Sequence, residues 1–223
     1  MKNMSTKINR FLLATVCAVG LAGMSNASAA TSTMSFQPNP TDLNDLDHHL
    51  VVTWRIDNIN LSNVSITGAS LTFTNIANWD NNTNRLFVYL LDTAIGSGVH
   101  TFQDVNDSQV PVVDISDAFL GSLPSLITSS TAKTKLFDKS FTTTPTTYTY
   151  NFTAAQLLAL QTYIANGHDI AFGFDPDCHY FNDGIKFTMT LTPVPEMASA
   201  IPALCLVALA TAFEIRRRRR ANA

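Results

Sequence analysis

The stretch Ile185-Lys186-Phe187-Thr188-Met189-Thr190-Leu191 alternates apolar and polar side chains without a break. Successive side chains of a strand point to opposite faces, so the pattern predicts a strand with one face in a core and the other in water. Leu71 and Phe73 within residues 69–76, residues 86–91, and Tyr148, Tyr150 and Phe152 also read as strands, several of them with the same period of two. Less regular runs at 50–56, 99–102, 110–115, 136–141 and 170–174 add further strands, with Gly, Asn, Asp or Pro between most of them. Ser, Thr and Asn make up 51 of the 164 residues from 30 to 193, a composition suited to strands with a solvated side. One segment breaks the pattern. Thr153-Ala154-Ala155-Gln156 opens a run carrying Leu157, Leu158, Leu160, Tyr163 and Ile164 that stops at Asn166-Gly167, which predicts a capped helix of about three turns. A single short helix among eight or nine strands predicts a mainly β fold, a single jelly-roll-like β-sandwich.

The chain has 223 residues, 46% hydrophobic and 14% charged, with nine Gly, nine Pro and three Cys. That is enough apolar material for one sizeable core, and it excludes a disordered chain, a collagen and a disulfide scaffold. Charge is unevenly distributed. Residues 1–29 carry Lys2, Lys7 and Arg10 and no acid, whereas residues 30–193 hold six basic residues against fifteen aspartates and no glutamate, a net charge of −9. Such a body repels polyanions and attracts cations, so nucleic acid is the least favoured partner.

Both ends carry addresses. The basic start, the apolar run at 11–21 and the small residues Ala27-Ser28-Ala29 form the three parts of a secretory signal, with cleavage after Ala29 or Ala30. The apolar run is short for a membrane anchor, and twin arginines are absent, so the expected route is Sec export followed by signal peptidase. At the other end, residues 197–213 contain no charge and as a helix would cover about 25 Å of a hydrocarbon layer of about 30 Å. Glu214 and Arg216, Arg217, Arg218, Arg219 and Arg220 follow, a cluster that holds the C-terminus in the cytoplasm. The expected organisation is a signal peptide at 1–29, an ectodomain at 30–192 and a sorting region at 193–223, with a transmembrane helix at 197–215.

Pro193, then Val194-Pro195-Glu196, a hydrophobic helix and a terminal arginine cluster together resemble a PEP-CTERM sorting signal. The resemblance implies an exported protein of a Gram-negative bacterium, recognised and processed by the membrane enzyme exosortase as its substrate. The family motif is Val-Pro-Glu-Pro, and Met197 here stands at the second proline. Three stretches of the body, residues 71–75, 78–81 and 173–184, also resemble a β-sandwich type carried by PEP-CTERM proteins. That likeness implies fold and leaves activity open.

The densest polar group is Asp175, Asp177, Cys178 and His179 followed by Asn182, Asp183 and Gly184. Asp175, Asp177, Asn182 and Asp183 offer the oxygen ligands that Ca²⁺ takes, although their spacing is not that of an EF-hand. Ordinary turn hydrogen bonding, or a transition metal at Cys178 and His179, are the other readings. Cys178 is the sole cysteine of the body, since Cys17 lies in the signal and Cys205 in the span, so it is read as a buried thiol or an intermolecular partner. Trp79, within Asn78-Trp79-Asp80-Asn81-Asn82, either stacks on a sugar ring or closes one end of the sandwich. His48-His49, which follows Asp42, Asp45 and Asp47 near the start of the body, reads as solvated loop, edge strand or accessory metal site.

No nucleophile elbow, phosphate loop or zinc-protease helix is present. The expected function is therefore non-enzymatic: a surface or extracellular-matrix protein, structural or adhesive in the envelope or exopolysaccharide layer. It would be an inner-membrane-anchored precursor with its ectodomain in the periplasm, reaching the surface after processing. The alternative is a carbohydrate-binding module acting through Trp79, with or without Ca²⁺, and a hydrolase stands third.

Overall fold

The computed structural model describes residues 30–104, 117–120, 127–194, 210–211 and 214–218. These form a mainly β fold with strands β1 (Ser32–Phe36), β2 (Leu50–Ile56), β3 (Val64–Asn78), β4 (Leu86–Leu91) and β5 (Gly98–Gln103). After them come β6 (Lys133–Lys139), β7 (Thr146–Asn151), helix α1 (Ala154–Gly167), β8 (Ile170–Pro176), β9 (Tyr180–Phe181) and β10 (Gly184–Pro193). One sheet runs β1-β10-β3-β7, with β9 added at the end of β3, and the other runs β5-β2-β8-β4-β6.

The alternation at 185–191 becomes β10, central in the first sheet, where Phe187 stands opposite Leu71 and Ile185 opposite Phe73. Leu71, Phe73, Phe187 and Met189 meet Val52, Trp54, Phe172 and Phe174 of the second sheet in one buried core. The Phe172 and Phe187 rings cross between sheets at 4.9 Å, and Phe73 meets Phe174 edge-on at 6.1 Å. Several outward-facing positions of the first sheet are hydroxyls that bond across strands, as Thr72 with Thr149 at 3.0 Å and Ser35 with Thr188 at 3.1 Å. Cross-strand hydroxyl pairs of this kind stabilise a solvated sheet face by tenths of a kcal/mol each, roughly 0.2–1.

The second sheet is covered on both sides, which is why residues 86–91 do not alternate. Every residue of β4 and β8 is buried. Their outer side chains, Phe87, Tyr89, Leu91 and Ala171, join Val51, Phe119 and Ile127 in a second apolar layer. Gly173 makes room for it: a Cβ there would lie 2.4 Å from the Phe119 ring.

Helix α1 starts as expected. Thr153 accepts the Gln156 backbone N–H while the Gln156 side chain accepts that of Thr153 at 2.8 Å, a capping box. The Gln156 amide then donates to the Lys135 and Leu136 carbonyls at 2.9 and 3.1 Å, tying the helix to β6. The end differs by one residue from expectation. His168 takes the left-handed cap at φ 59°, and the helical position 167 calls for glycine because a Cβ there would meet the Asp169 carboxylate. That carboxylate is held by Arg55 at 2.9 Å and does not swing clear.

Several expectations shift. β1 carries little signal in the sequence because its residues alternate only weakly; it is an edge strand with half-buried Met34 and Phe36. β3 extends beyond 69–76 at both ends, and the strand expected at 136–141 begins earlier, at Lys133. The strand expected at 110–115 lies outside the described residues, as do Ala27, Ala29, Pro195, Glu196, Met197, Arg219 and Arg220. Val194 donates its N–H to Asn63 at 2.9 Å, closing the end of β10. Residues 210–211 and 214–218 are helical, and Arg218 pairs with Glu214 at 3.0 Å. Among the described residues no helix is long and apolar enough to cross a membrane, and most of the expected span 197–215 lies outside them.

Candidate functional site

Trp79 leaves the end of β3 on a frame of amides and carboxylates. Asp80 Oδ1 accepts the Asn82 N–H at 2.9 Å and the Asn84 side-chain amide at 2.8 Å. Buried Asn78 donates to the Asn82 carbonyl at 3.0 Å and accepts from Asn84 at 3.2 Å. The Trp79 N–H itself donates to the His179 carbonyl at 2.9 Å. Short Asn and Asp side chains bonding to nearby backbone make such a turn stiff, so Trp79 is presented in a set orientation.

Its ring is not a lid on the core, being 64% exposed. Beside it β9 pairs with the end of β3, placing Phe181 opposite Ala77 and Tyr180 opposite Asn78. Strand alternation sends Tyr180 wholly into the core and Phe181 outward, 41% exposed. Trp79 and Phe181 have ring centroids 6.1 Å apart, and the His179 ring lies 4.7 Å from that of Phe181, tilted by 53°. The two exposed rings, with Ala77 and Pro145, border an open cleft of about 610 Å³ whose remaining lining is polar, Asp42, Asp45, Asn75, Asn182 and Asp183 among it.

The structure therefore divides the four oxygen ligands expected for Ca²⁺, which do not converge on one point. Asn182 and Asp183 line the Trp79 cleft. Asn182 donates its backbone N–H to Asp45 at 3.1 Å and its amide to the Asp42 carbonyl at 2.9 Å, while its side-chain oxygen accepts from Gly184 at 3.0 Å. Asp183 accepts from the Asn75 amide at 2.6 Å. Asp177 exchanges backbone and side-chain bonds with Arg85, at 2.8 and 3.2 Å. Asp175 sits on β8 facing the outer apolar layer, only 2% exposed, where it accepts the Ala118 N–H at 2.6 Å. Strand direction separates them: β8, the turn after it and the start of β10 point their side chains at different neighbours.

Burial pushes the Asp175 carboxyl up to about 7, opposed by the Ala118 hydrogen bond and reinforced by the charges of Asp104, Asp117 and Asp177. Nearby, Tyr89 donates its hydroxyl to Asp117 at 2.7 Å, and desolvation with that carboxylate raises the phenol far above its usual range. Burial also raises the Cys178 thiol, partly offset by the backbone N–H of His179. Raised this way, it is held as a thiol and is a poor nucleophile. Asp47, His48 and His49 come together at the entry to β2.

Phe181 escaped the sequence reading, although two adjacent aromatics on a strand must face opposite ways and one of them therefore lies outside. The Asp104–Asp117 surroundings of Asp175 carry no local signal, because they are assembled from distant segments. No protein-family model matches the chain, and no curated protein is detectably similar to it, so the sorting-signal resemblance rests on its own residues.

Proposed function

We propose that this chain is an exported, exosortase-sorted surface or extracellular-matrix protein that is non-enzymatic and adheres to polysaccharide through the Trp79 cleft. The observation that carries the adhesive reading is the exposed pair Trp79 and Phe181 over a cleft lined with amides and carboxylates. Sugar rings offer apolar C–H faces and equatorial hydroxyls. An aromatic face packs against the first, and Asp and Asn side chains hydrogen-bond the second. Asp42, Asp45 and Asp183 supply negative charge, and Lys and Arg are not among the residues lining the cleft. The ligand class this favours is a neutral or amino-sugar polymer over a polyanionic one.

One further observation supports the non-enzymatic reading. A glycosidase general acid needs a carboxyl held protonated near neutrality and open to the substrate. Among the described residues the carboxyl that burial raises, Asp175, is closed from solvent and does not line the cleft. The jelly-roll reading of the sandwich is supported by strand order: with β5 and β9 set aside, each strand along the chain crosses to the other sheet except at the β4–β6 step. Export and retention are supported by the segments at 1–29 and 193–223, with the Sec machinery, signal peptidase, exosortase and the membrane as partners.

The test is binding of the full chain to an array of neutral, amino-sugar and uronate glycans, repeated with Trp79→Ala. Retention on neutral or amino-sugar polymers, lost in the variant, is expected; binding unchanged by the substitution removes the cleft from the account. Mass spectrometry of the mature C-terminus addresses sorting. A chain recovered with residues 193–223 intact and both ends uncut would overturn it.

A further inference from the structure

We propose that Asp47, His48 and His49 form a site for a divalent transition metal of the zinc, copper or nickel type. One ligand atom from each residue lies within 4.8 Å of the others, and among the described residues no other group of three His, Cys, Asp or Glu side chains meets that condition. His48 Nδ1 stands 3.0 Å from Asp47 Oδ1, yet it is closed from solvent and aligned for a hydrogen bond with no partner. A shielded polar nitrogen in that condition is costly, and coordination of a cation shared with the carboxylate relieves it. The imidazole centroids of His48 and His49 are only 3.7 Å apart, tilted by 44°. Rings that close bring one nitrogen from each within reach of a single ion.

The donor set decides the metal. Two imidazole nitrogens and one carboxylate suit zinc, copper or nickel, while Ca²⁺ prefers six to eight oxygens, which this group does not supply. A four-coordinate ion held by the three would keep a position for water.

The backbone on both sides is pinned before any ion arrives. Leu46 exchanges hydrogen bonds with Tyr180 at 3.0 and 2.8 Å, and Leu50 donates to the Asp47 carbonyl at 3.0 Å. The His49 carbonyl accepts from the Asp104 N–H at 3.0 Å and from the Gln103 side chain at 2.9 Å. Binding therefore asks for side-chain adjustment only, which favours a small and well-defined site. None of the three residues lines the Trp79 cleft, so the site is independent of glycan adhesion.

The test is titration of the full chain with Zn²⁺, Ni²⁺ and Ca²⁺, read by calorimetry and by the thermal midpoint. One equivalent of Zn²⁺ or Ni²⁺ is expected to bind saturably and raise the midpoint, since a ligand held only by the folded state stabilises it, while Ca²⁺ leaves it unchanged. His48→Ala and His49→Ala are each expected to weaken zinc by at least about tenfold, and Asp47→Asn by less. Cys178→Ser and His179→Ala should leave zinc binding as it was. Absence of zinc binding, an equal response to Ca²⁺, or binding that survives both histidine substitutions overturns the site. So does binding lost in Cys178→Ser. Imidazole NMR signals of the unsubstituted chain give a readout that needs no variant: zinc should move those of His48 and His49 and not those of His100 or His168, and the reverse pattern refutes the assignment.

Discussion

Two groups of aromatics and aspartates sit on this sandwich, and they differ in what covers them. On the outer face of the second sheet, Phe87, Tyr89 and Phe119 lie with Asp117 and Asp175 under the chain, and Phe119 is fully buried. At the end of β3, Trp79 and Phe181 lie with Asp183 and Asp42 in the open. The ingredients are alike. In the first group an aspartate is stripped of water and its carboxyl rises to about 7; in the second, aromatic area stays available to a ligand. An aromatic–aspartate cluster becomes structure or surface according to whether a neighbouring segment lies across it.

The largest effect expected from breaking this contrast is in the covered group. Phe119→Ala should lower unfolding free energy by about 3–5 kcal/mol, measured by urea denaturation, because it opens a cavity between the sheet and its cover. Glycan binding by the folded fraction should not change. A loss under about 1 kcal/mol would mean that the cover contributes little.

Asp175 comes next. Its folded pKa, about 7, is above the ordinary 3.8, so its favourable neutral form contributes fully below about pH 4 and that contribution fades as pH rises through 7. Asp175→Asn, which keeps an acceptor for the Ala118 N–H, should raise stability at pH 8 by up to a few kcal/mol, at about 1.4 kcal/mol per unit, and leave stability at pH 4 nearly unchanged. Thermal melting across pH 4–8 checks it, and a variant whose melting still falls over that window in parallel with the parent contradicts the assignment.

In the open group the signs reverse, with binding affected and stability spared. Trp79→Ala should weaken glycan binding at least about tenfold while shifting unfolding free energy by no more than about 0.5 kcal/mol. Phe181→Ala should do the same to a smaller degree, roughly threefold, since its ring is less exposed. Equal destabilisation by Trp79→Ala and Phe119→Ala, in paired denaturation curves, would erase the distinction between the two regions.

Much of the fold was legible. β10 and the central part of β3 follow from period two, and the start of α1 follows from Thr153 and Gln156, because each depends on residues within a few positions of one another. β1 was missed for the opposite reason: as an edge strand it has little burial of its own to impose a pattern. In the candidate site, Trp79 was legible as an aromatic among amides, but whether it was covered was not. Asn182 and Asp183 were grouped with Asp175 and Asp177 by closeness in sequence, and the fold regrouped them with Asp42, Asp45 and Trp79.

The amino-acid order by itself determined the strand-rich class, the capped helix, the acidic body and the segments at either end that read as export and sorting signals. These rest on local periodicity, composition and charge, which act over a few residues. Only the tertiary structure decided that Trp79 is open and Phe119 closed, that Asp175 is buried away from Asp183, and that Asn182 and Asp183 share a cleft with Asp42, Asp45 and Trp79. Exposure and convergence depend on which distant strands pair and which connection crosses which face, and side chains far apart in the chain meet only when the sheets are assembled.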